Sequence, residues 1–546
     1  MFGFLWRSSW RIIILVLVTG IISGLSSAAL IALINSALSN TLDHDRLLWE
    51  FSGLSVAVLL SGSLSYYFIN KLSEKTVCEL RIHISRLILN ASYPTLQKLG
   101  KPRLLANLTE DISAISHAFL LFPDICVNTA IVAGCIAYLG WLSWQLALVM
   151  SGIILSCVVS YRFLAELPRK AMEQARDEYD NLNRDFRTLT EGIKELKLHK
   201  SRSVDFMECS LATSAESYRR YSLSGSTVYM LASQWTFLVY YLTIGLILFV
   251  FPSWQGVNRE VISGYTLVIL FMTSPLVVLT NSVPVFARVR IALKKVQKLD
   301  NDLSSTRLQN DALIIPGAWS KFYSISLQNV SHSFHREKEN RNFTLGPINL
   351  DFKPGELVFL IGGNGSGKTT LAMLLIGLYF PEKGAIRLND VVVTDTNRDA
   401  YLQNFSVVFS DFYLFDELFG FDADKINAKA IYFLEQLHLH HKISIDNGKF
   451  STLDLSQGQR KRLALLIAYL EDRPFYVFDE WAADQDPEFK ELFYTELLPA
   501  LTAKGKTVLA ITHDDRYFHL ADRCIKLEEG QIIAIEYSHD KAQNDK

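Results

Sequence analysis

A glycine-rich segment at residues 362–369 constrains this chain more than any other part of its sequence. The segment reads G-G-N-G-S-G-K-T and follows an apolar, strand-like run at 357–360. The pattern G-x-x-x-x-G-K-T is typical of a loop whose backbone N–H groups surround phosphate oxygens, while the lysine reaches the outer phosphates. We expect 370–379 to be a helix whose N-terminus faces the anion. The hydroxyl of Thr369 is suited to bind Mg²⁺, so the segment predicts a site for a nucleotide and its metal.

Six apolar runs precede this loop, near residues 12–38, 51–70, 118–140, 146–161, 230–251 and 261–286. A helix needs about 20 apolar residues to cross a bilayer. The first run is too long for the apolar part of a signal peptide, so we interpret it as an uncleaved anchor. With a net charge of −2, the composition gives no argument for a nucleic acid partner. The runs predict a membrane-spanning helical bundle in contact with lipid.

The distribution of lysine and arginine predicts the orientation of this bundle. The loop at 71–117 holds seven basic residues and the loop at 162–228 holds twelve, whereas the other loops hold almost none. Basic loops stay on the cytoplasmic side, so both termini and both long loops are expected there. We interpret the long loops as cytoplasmic extensions of the membrane helices, with short helices near 92–99 and 188–198 that contact the nucleotide domain. A solvated helix pair is the alternative.

These patterns predict a transmembrane domain at 1–300, a linker at 301–320 and a nucleotide-binding domain at 321–546. Within the last, the apolar strand-like run at 475–478 ends in Asp479 and Glu480. Asp479 is suited to hold Mg²⁺, and Glu480 to polarise a water molecule that attacks the γ-phosphate. A second apolar run at 508–511 leads to His513, which could hydrogen-bond the γ-phosphate.

Between these runs, residues 455–459 read L-S-Q-G-Q and precede a predicted helix at 463–471. This segment resembles the L-S-G-G-Q signature of ABC ATPases. The resemblance implies a membrane α-helical bundle of six transmembrane helices, exporter type, fused to an α/β P-loop ABC ATPase domain. It implies Glu480 and His513 as catalytic residues, Thr369 and Asp479 as metal ligands, and Phe334 as the aromatic residue that stacks on adenine. The ATP contacts that it implies are Phe334, Gly362, Gly363, Asn364, Gly365, Ser366, Gly367, Lys368, Thr369, Thr370, Ser456, Gln457, Gly458, Gln459 and Asp484.

The resemblance also implies how the chain assembles. In the family, the signature serine, here Ser456, and the helix after it complete the ATP site of the opposite subunit. The chain carries one membrane half and one ATPase, so a working machine needs two chains. We expect a homodimer, and a heterodimer is the alternative.

Two departures narrow the resemblance. Ser410 stands in V-F-S-D where the family has a glutamine, and N-G-K-F at 447–450 replaces an acidic-glycine loop. The branch that the chain resembles exports cyclic peptides and siderophores and includes pyoverdine, syringomycin and lasso-peptide microcin exporters. The resemblance is carried by I-G-G-N-G-S-G-K-T at 361–369, V-F-S-D at 408–411, L-S-Q-G-Q-R-K-R at 455–462 and D-E-W-A-A-D-Q-D-P at 479–487. We therefore expect ATP-driven export of a cyclic or modified peptide or a siderophore across a bacterial inner membrane. The alternatives are a lipid or glycolipid flippase, an uptake system, or an ATP-binding membrane sensor.

The membrane half shows no pattern that identifies its cargo. Polar residues in or near the apolar runs, namely Asp124, Asn128, Gln234 and Asn281, are candidate cargo contacts. Asp124 lies near the cytoplasmic start of its run, where an interfacial position is the simpler interpretation.

Overall fold

The computed structural model describes residues 2–38, 44–250, 259–304, 322–336 and 341–537. They form two compact units. The first, here called the helical unit, comprises Met1–Ile84 and Leu105–Leu299, and the second, the sheet unit, comprises Ser85–Leu104 and Asp300–Lys546. Most of the predicted linker lies outside the described residues.

Helices account for nearly all of the described chain before residue 305. They are α1 (Phe2–Leu38), α2 (His44–Asn90), α3 (Tyr93–Leu99), α4 (Lys101–Ala106), α5 (Ile112–Leu142), α6 (Trp144–Glu166), α7 (Arg169–Glu191), α8 (Ile193–Leu198), α9 (Lys200–Asp205), α10 (Ala212–Gly245) and α11 (Arg259–Ser304). π-Helical turns at Asn107–Asp111, Phe206–Leu211 and Leu246–Val250 continue several of them.

Four of the described helical stretches are long and apolar enough to cross a membrane. They are Trp10–Leu38, Asp45–Asn90, Lys101–Leu142 and Val261–Ser282. The runs predicted at 146–161 and 230–251 coincide with shorter apolar stretches within the described residues, Trp144–Ile153 and Phe237–Val250. Four of the predicted spans are therefore found at full length, and the other two are found as shorter apolar helices.

Small residues bring α1 and α5 close together in the helical unit. A Cβ at Gly24 would lie 2.4 Å from the Ala130 Cβ, and one at Gly134 would lie 2.8 Å from the Ala28 Cβ. Such contacts between small residues let helix backbones approach each other within a membrane, where dispersion rather than water exclusion stabilises packing.

The sheet unit contains these strands: β1 (Ile325–Arg336), β2 (Arg341–Phe352), β3 (Leu357–Ile361), β4 (Lys383–Leu388), β5 (Val391–Val392), β6 (Phe405–Val408), β7 (Ile445–Asp446), β8 (Lys449–Phe450), β9 (Phe475–Asp479), β10 (Thr507–Ile511), β11 (Arg523–Glu528) and β12 (Gln531–Tyr537). Its further helices are α12 (Lys368–Leu375), α13 (Arg398–Leu402), α14 (Ala423–Gln436), α15 (Gln457–Glu471), α16 (Pro487–Leu492) and α17 (Leu498–Ala503).

One six-stranded sheet organises this unit, with the order β12-β11-β3-β10-β9-β6. Its strands β11, β3, β10, β9 and β6 are parallel to one another, and β12 is antiparallel to β11. A separate antiparallel sheet has the order β2-β1-β4-β5. Parallel sheets are normally covered on both faces, which explains why β9 and β10 are buried at every residue.

Two apolar clusters cover the opposite faces of the six-stranded sheet. Alternate residues of one strand enter different clusters: Phe359 joins the one that contains α14 and α15, and Val358 joins the one that contains α12 and the antiparallel sheet. This division follows from the two-residue period of a strand. The carboxyl ends of β3, β9 and β10 consequently meet at one edge of the sheet, between the covering layers.

Helix α3 belongs to the sheet unit although its sequence lies between two predicted membrane spans. The Tyr379 hydroxyl donates to Gln97 Oε1 at 2.7 Å, and the rings of Tyr379 and Tyr93 have centroids 6.0 Å apart. The contact predicted for the loop tip at 92–99 is therefore confirmed. The second tip also forms a short helix, α8, which belongs to the helical unit.

Candidate nucleotide-binding site

The glycine-rich loop begins where β3 ends, and its backbone conformation explains its composition. Gly362 has a φ of 152°, and a Cβ there would lie 2.1 Å from the Leu527 carbonyl oxygen. Gly367 has a φ of 104°, and its Cβ would meet the rings and side chains of Phe343 and Leu345 at 3.0–3.1 Å. Only glycine combines these conformations with such close contacts. The loop therefore presents backbone rather than side chains at the sheet edge.

Lys368 is the first residue of α12 and is only 5% exposed. Its Nζ donates to the carbonyl oxygens of Gly362 and Gly363, at 3.0 Å each. Burial lowers the pKa of this ammonium, while the nearby Glu480 and Asp479 carboxylates act in the opposite direction. Among the residues that the structure describes, the buried Ser366 Oγ has no hydrogen-bond partner. A cation and an unpaired hydroxyl at a helix N-terminus fit the phosphates of a nucleotide.

The metal-binding candidates Thr369 and Asp479 lie side by side. Thr369 Oγ1 donates to Asp479 Oδ2 at 3.1 Å, and Ser410 Oγ lies 3.5 Å from the same oxygen. Asp479 is 1% exposed, and its burial raises the pKa of the carboxyl, against the effect of the Thr369 hydrogen bond. A hydroxyl beside a buried carboxylate is a donor set that suits Mg²⁺, which prefers oxygen ligands.

Glu480 and His513 meet at the ends of neighbouring strands β9 and β10. His513 Nε2 lies 3.2 Å from Glu480 Oε1, within hydrogen-bond distance. Both side chains remain partly open to solvent, at 38% and 46% exposure, and both line one cleft. This arrangement leaves the Glu480 carboxylate accessible to a water molecule.

The residues of the predicted signature stand at the N-terminus of α15. This helix begins at Gln457, six residues earlier than predicted, because Ser456 and Gln459 form a capping box. Gln459 N donates to Ser456 Oγ at 3.4 Å, and Ser456 N donates to Gln459 Oε1 at 3.1 Å. Capping of this kind satisfies backbone donors that a helix start leaves unpaired. Ser456 and Gln457 are exposed, and Gly458 is half-buried.

The remaining predicted residues occupy the positions that their motifs suggest. Gly363, Asn364 and Gly365 form the exposed part of the loop, and Thr370 follows Thr369 in α12. Helix α12 begins two residues before the predicted helix and ends at Leu375 rather than 379.

Phe334 and Asp484 lie outside the loop. Phe334 pairs with Phe343 in the register of β1 and β2, and its side chain lies outside the described part of the chain. The Asp484 carboxylate forms an ion pair with Lys461 of the same chain. Sequence analysis assigned no role to either Phe343 or Lys461. Phe343 stands in no recognised motif, and nothing in the segment L-S-Q-G-Q-R-K-R indicates that the side chain of Lys461 is buried.

These observations define a class of protein. A phosphate loop after one parallel strand, two carboxylates at the end of another that are candidates for metal binding and catalysis, and a histidine after a third are the arrangement expected of a P-loop nucleotide hydrolase. In this chain the site is fused to helices that can cross a membrane.

Comparison with known proteins identifies the family. Residues 345–483 match the family model described as ABC transporter, and residues 10–282 match the model described as ABC transporter transmembrane region. The ATP-binding protein SyrD of Pseudomonas syringae pv. syringae is 37% identical over 97% of this chain and 95% of its own length. The chain belongs to the ABC transporter family and is an exporter half-transporter that hydrolyses ATP.

More distant proteins share the architecture. The ATP-dependent lipid A-core flippase of Thiobacillus denitrificans is 23% identical over 96% of this chain and 93% of its own length. A solved structure of a bacterial Atm1-family ABC exporter with ATP bound superimposes with a TM-score of 0.74, covering 99% of this chain and 97% of that chain at 17% identity. This likeness establishes the exporter fold.

Proposed function

We propose that two copies of this chain export a cyclic or modified peptide from the bacterial cytoplasm, driven by ATP hydrolysis; a siderophore is the second candidate cargo. The observation that carries the proposal is the convergence of Lys368, Asp479 and Glu480 in a chain that is 37% identical to SyrD over nearly its whole length. The resemblance of the V-F-S-D and D-E-W-A-A-D-Q-D-P segments to the cyclic-peptide and siderophore export branch supports this cargo class.

Each residue of the site has its own proposed role in ATP hydrolysis. Lys368 and the loop N–H groups hold the phosphates of ATP, and Thr369 and Asp479 would hold Mg²⁺. A metal ion held there would supply positive charge that neutralises the charge developing on the phosphate oxygens. Glu480 orients a water molecule and accepts its proton, because its carboxylate is accessible and ends a rigid strand. His513, 3.2 Å from Glu480, holds this geometry and offers a donor to the γ-phosphate.

The exposed N-terminus of α15 supports a dimeric site. Ser456 and Gln457 are exposed, and the start of a helix attracts anions through its free N–H groups and its dipole. In the proposed homodimer, this end of one copy covers the ATP that is held by Lys368 of the other copy. Asp484, which is half-exposed on the same side of the domain core, is proposed to face the second copy.

The proposed orientation follows from charge. The seven basic residues at 71–117 and the twelve at 162–228 favour the cytoplasmic face of the inner membrane for both long loops. The ATPase domain follows the last span and is proposed to lie on the same face, where ATP is available.

Sequence identity favours a peptide-type cargo over a lipid. SyrD is 37% identical to this chain, whereas the matched lipid A-core flippase of Thiobacillus denitrificans is 23% identical. A flippase or an uptake system therefore stays the alternative rather than the proposal.

Cargo-stimulated hydrolysis in reconstituted vesicles tests the proposed function. We expect a cyclic peptide to stimulate ATP hydrolysis and to accumulate in inside-out vesicles. In vesicles that contain the Glu480→Gln variant, we expect neither stimulated hydrolysis nor accumulation of the peptide. A siderophore and a lipopolysaccharide core lipid serve as competing cargoes in the same preparation. Stimulation by the lipid alone would contradict the proposal and favour the flippase.

Disulfide cross-linking tests the proposed homodimer. Asn364 is exposed in the loop and Ser456 is exposed at the start of α15, so cysteines at both positions are accessible to cross-linking in a background without the native cysteines. We expect the pair Asn364→Cys and Ser456→Cys to form cross-links between chains when ATP is bound. Cross-links confined to single chains would contradict this arrangement.

A further inference from the structure

Lys461 is a buried lysine in the second turn of α15. Its side chain is only 3% exposed, although it stands in an R-K-R run at 460–462 that suggests a solvated surface. Lysine is almost never fully buried without a partner, because removing an ammonium from water costs far more than a typical contact returns. The partners of this ammonium therefore show why the residue is there.

Both partners belong to the segment that follows the catalytic strand. Lys461 Nζ donates to the Glu480 carbonyl oxygen at 3.1 Å and forms an ion pair with Asp484 Oδ2 at 2.7 Å. In the opposite direction, the buried Trp481 Nε1 donates to the Lys461 carbonyl oxygen at 2.8 Å. One residue of α15 is thus joined at three points to the segment 480–484.

Glu480 needs such support because of its backbone conformation. Its φ is +50°, a left-handed conformation that is disfavoured for a residue with a Cβ and persists where the surroundings impose it. Its N–H donates to the Ile511 carbonyl oxygen at 3.1 Å, which fixes one side of the residue to β10. The Lys461 ammonium fixes the other side. Together these bonds set the direction in which the carboxylate leaves the strand.

Further contacts join the same two segments. Gln485 Nε2 donates to the Gly458 carbonyl oxygen at 3.1 Å, and Arg462 Nε donates to Gln485 Oε1 at 3.1 Å. The Arg462 guanidinium also lies over the Phe489 ring, 3.9 Å from its centroid. The start of α15 and the segment after Glu480 are therefore held as one body.

We propose that Lys461 is a positioning residue for ATP hydrolysis, which sets the direction of the Glu480 carboxylate according to the position of the N-terminus of α15. This inference rests on the proposed homodimer, in which that N-terminus contacts the nucleotide held by the second copy. ATP bound by one copy then aligns the catalytic base of the other. Lys461 itself touches no reacting atom, and its effect passes through the Glu480 backbone.

The chain contains a matched control at the other end of the same helix. Asp472 follows α15 and also has a left-handed backbone, with a φ of +51°. Lys506 Nζ donates to its carbonyl oxygen at 3.2 Å and pairs with its carboxylate at 2.8 Å. This lysine supports a left-handed residue in the same way, but its partner is not a catalytic residue.

The experiment compares Lys461→Met with Lys506→Met in the full-length protein. A misplaced catalytic group can cost on the order of 10²-fold in rate, so we expect Lys461→Met to lower the kcat of ATP hydrolysis about 10- to 100-fold. The Kd of a fluorescent ATP analogue should change less than about threefold, because Lys368 and its loop are unaltered. The Hill coefficient for ATP should fall to about 1. Lys506→Met should leave kcat and the Hill coefficient within about twofold of the wild-type values.

A second variant covers the case in which Lys461→Met fails to fold. Trp481→Phe keeps an aromatic ring against Phe493 and removes the Nε1 donor to Lys461 together with part of the buried indole ring. We expect a smaller fall in kcat in the same direction, with ATP affinity again unchanged. A kcat equal to that of the wild type in both variants would overturn the proposal. The proposal would also be overturned if the variants lost kcat only to the extent that their thermal stability fell, with Lys506→Met as the reference for that relation.

Mixed dimers purified by two different tags locate the effect. When Lys461→Met in one copy is combined with Glu480→Gln in the other, the remaining base lies in the chain with the altered lysine, and we expect the low activity of Lys461→Met. When both changes are placed in one copy beside a wild-type copy, we expect about half of the wild-type activity. The reverse pattern would overturn the inference and assign Lys461 to the partner's site. A failure to recover mixed dimers would instead contradict the proposed homodimer, and transport need not be measured for either result.

Discussion

The two units of this protein use their polar residues differently. In the sheet unit, polar residues that stand far apart in the sequence converge on one site, where the Thr369 and Ser410 hydroxyls both lie within 3.5 Å of the Asp479 carboxylate. In the helical unit, polar side chains form hydrogen bonds to residues of neighbouring helices. Asn35 Nδ2 donates to the Tyr138 hydroxyl at 3.1 Å, and Ser263 Oγ donates to Asn35 Oδ1 at 3.0 Å.

Two of the four candidate cargo residues, Asp124 and Asn128, have hydrogen-bond partners within the helical unit. Asp124 accepts a hydrogen bond from the Tyr66 hydroxyl of α2, and Asn128 Nδ2 donates to the Asp124 carbonyl oxygen at 2.6 Å. These bonds satisfy polar groups within an apolar bundle, where an unpaired group is costly. The comparison teaches that polar residues have different meanings in the two units. In the sheet unit they lie together at strand ends and indicate a functional site, whereas in the helical unit they indicate contacts between packed helices.

The largest expected effect tests the sheet-unit half of this comparison. Glu480→Gln should keep ATP binding and lower hydrolysis by about 10²-fold or more, because the amide preserves shape but cannot accept the proton of the attacking water. Single-turnover hydrolysis and ATP binding are measured on the same purified protein. Lys368→Ala is the contrasting variant and should weaken ATP binding itself. Hydrolysis near the wild-type rate in Glu480→Gln would show that Glu480 is not the catalytic base, although it lies with the other polar residues at the sheet edge.

A smaller effect is expected at Ser410. Its Oγ lies 3.5 Å from Asp479 Oδ2, farther than the 3.1 Å of Thr369 Oγ1, and a serine is too short to replace a glutamine at a metal ion. Mg²⁺ usually keeps several water ligands, so Ser410→Ala should change ATP hydrolysis by less than about threefold. Thr369→Ala is the matched control and should have a larger effect at limiting Mg²⁺. Near-complete loss of hydrolysis in Ser410→Ala would show that the serine replaces the glutamine after all.

The smallest effect is expected in the helical unit. Hydrogen bonds between membrane helices contribute on average about 0.6 kcal/mol, so Tyr66→Phe should lower thermal stability slightly. Asp124→Asn keeps an acceptor for Tyr66 and should be nearly neutral, with ATP hydrolysis within about twofold in both variants. Vesicle transport and thermal unfolding are measured on each. A large loss of transport in Asp124→Asn alone would break the comparison and make Asp124 a cargo contact.

Much of the fold and the site could be predicted from local sequence. The phosphate loop depends on glycines at fixed spacing, since Gly362 and Gly367 adopt conformations that a side chain would block. Apolar runs predicted the buried strands β3, β9 and β10, because a parallel sheet covered on both faces has no polar alternation. Asp479, Glu480 and His513 could be identified as candidates because Asp479 ends β9, Glu480 follows it and His513 stands two residues after β10.

Helix boundaries were predicted less well, for a physical reason. The start of α15 at Gln457 depends on a capping box between Ser456 and Gln459. The predicted start at 463 was based on the first residue of the apolar, helix-like pattern. Helix α12 ends at Leu375 because Gly377 follows with a left-handed φ of +80°, although the sequence stays apolar to Tyr379. Capping is decided by individual hydrogen bonds and turns, which average hydrophobicity does not capture.

The sequence by itself therefore determined the phosphate loop, the candidate catalytic and metal-binding residues and the presence of membrane spans, because each depends on a short segment with its own geometric requirement. Only the tertiary structure decided that Lys461 is buried, that Phe343 lies against Gly367 and that α3 belongs to the sheet unit. These facts arise from contacts between segments far apart in the chain. A lysine in an R-K-R run becomes a buried support for Glu480 only when β9 brings that residue to its side.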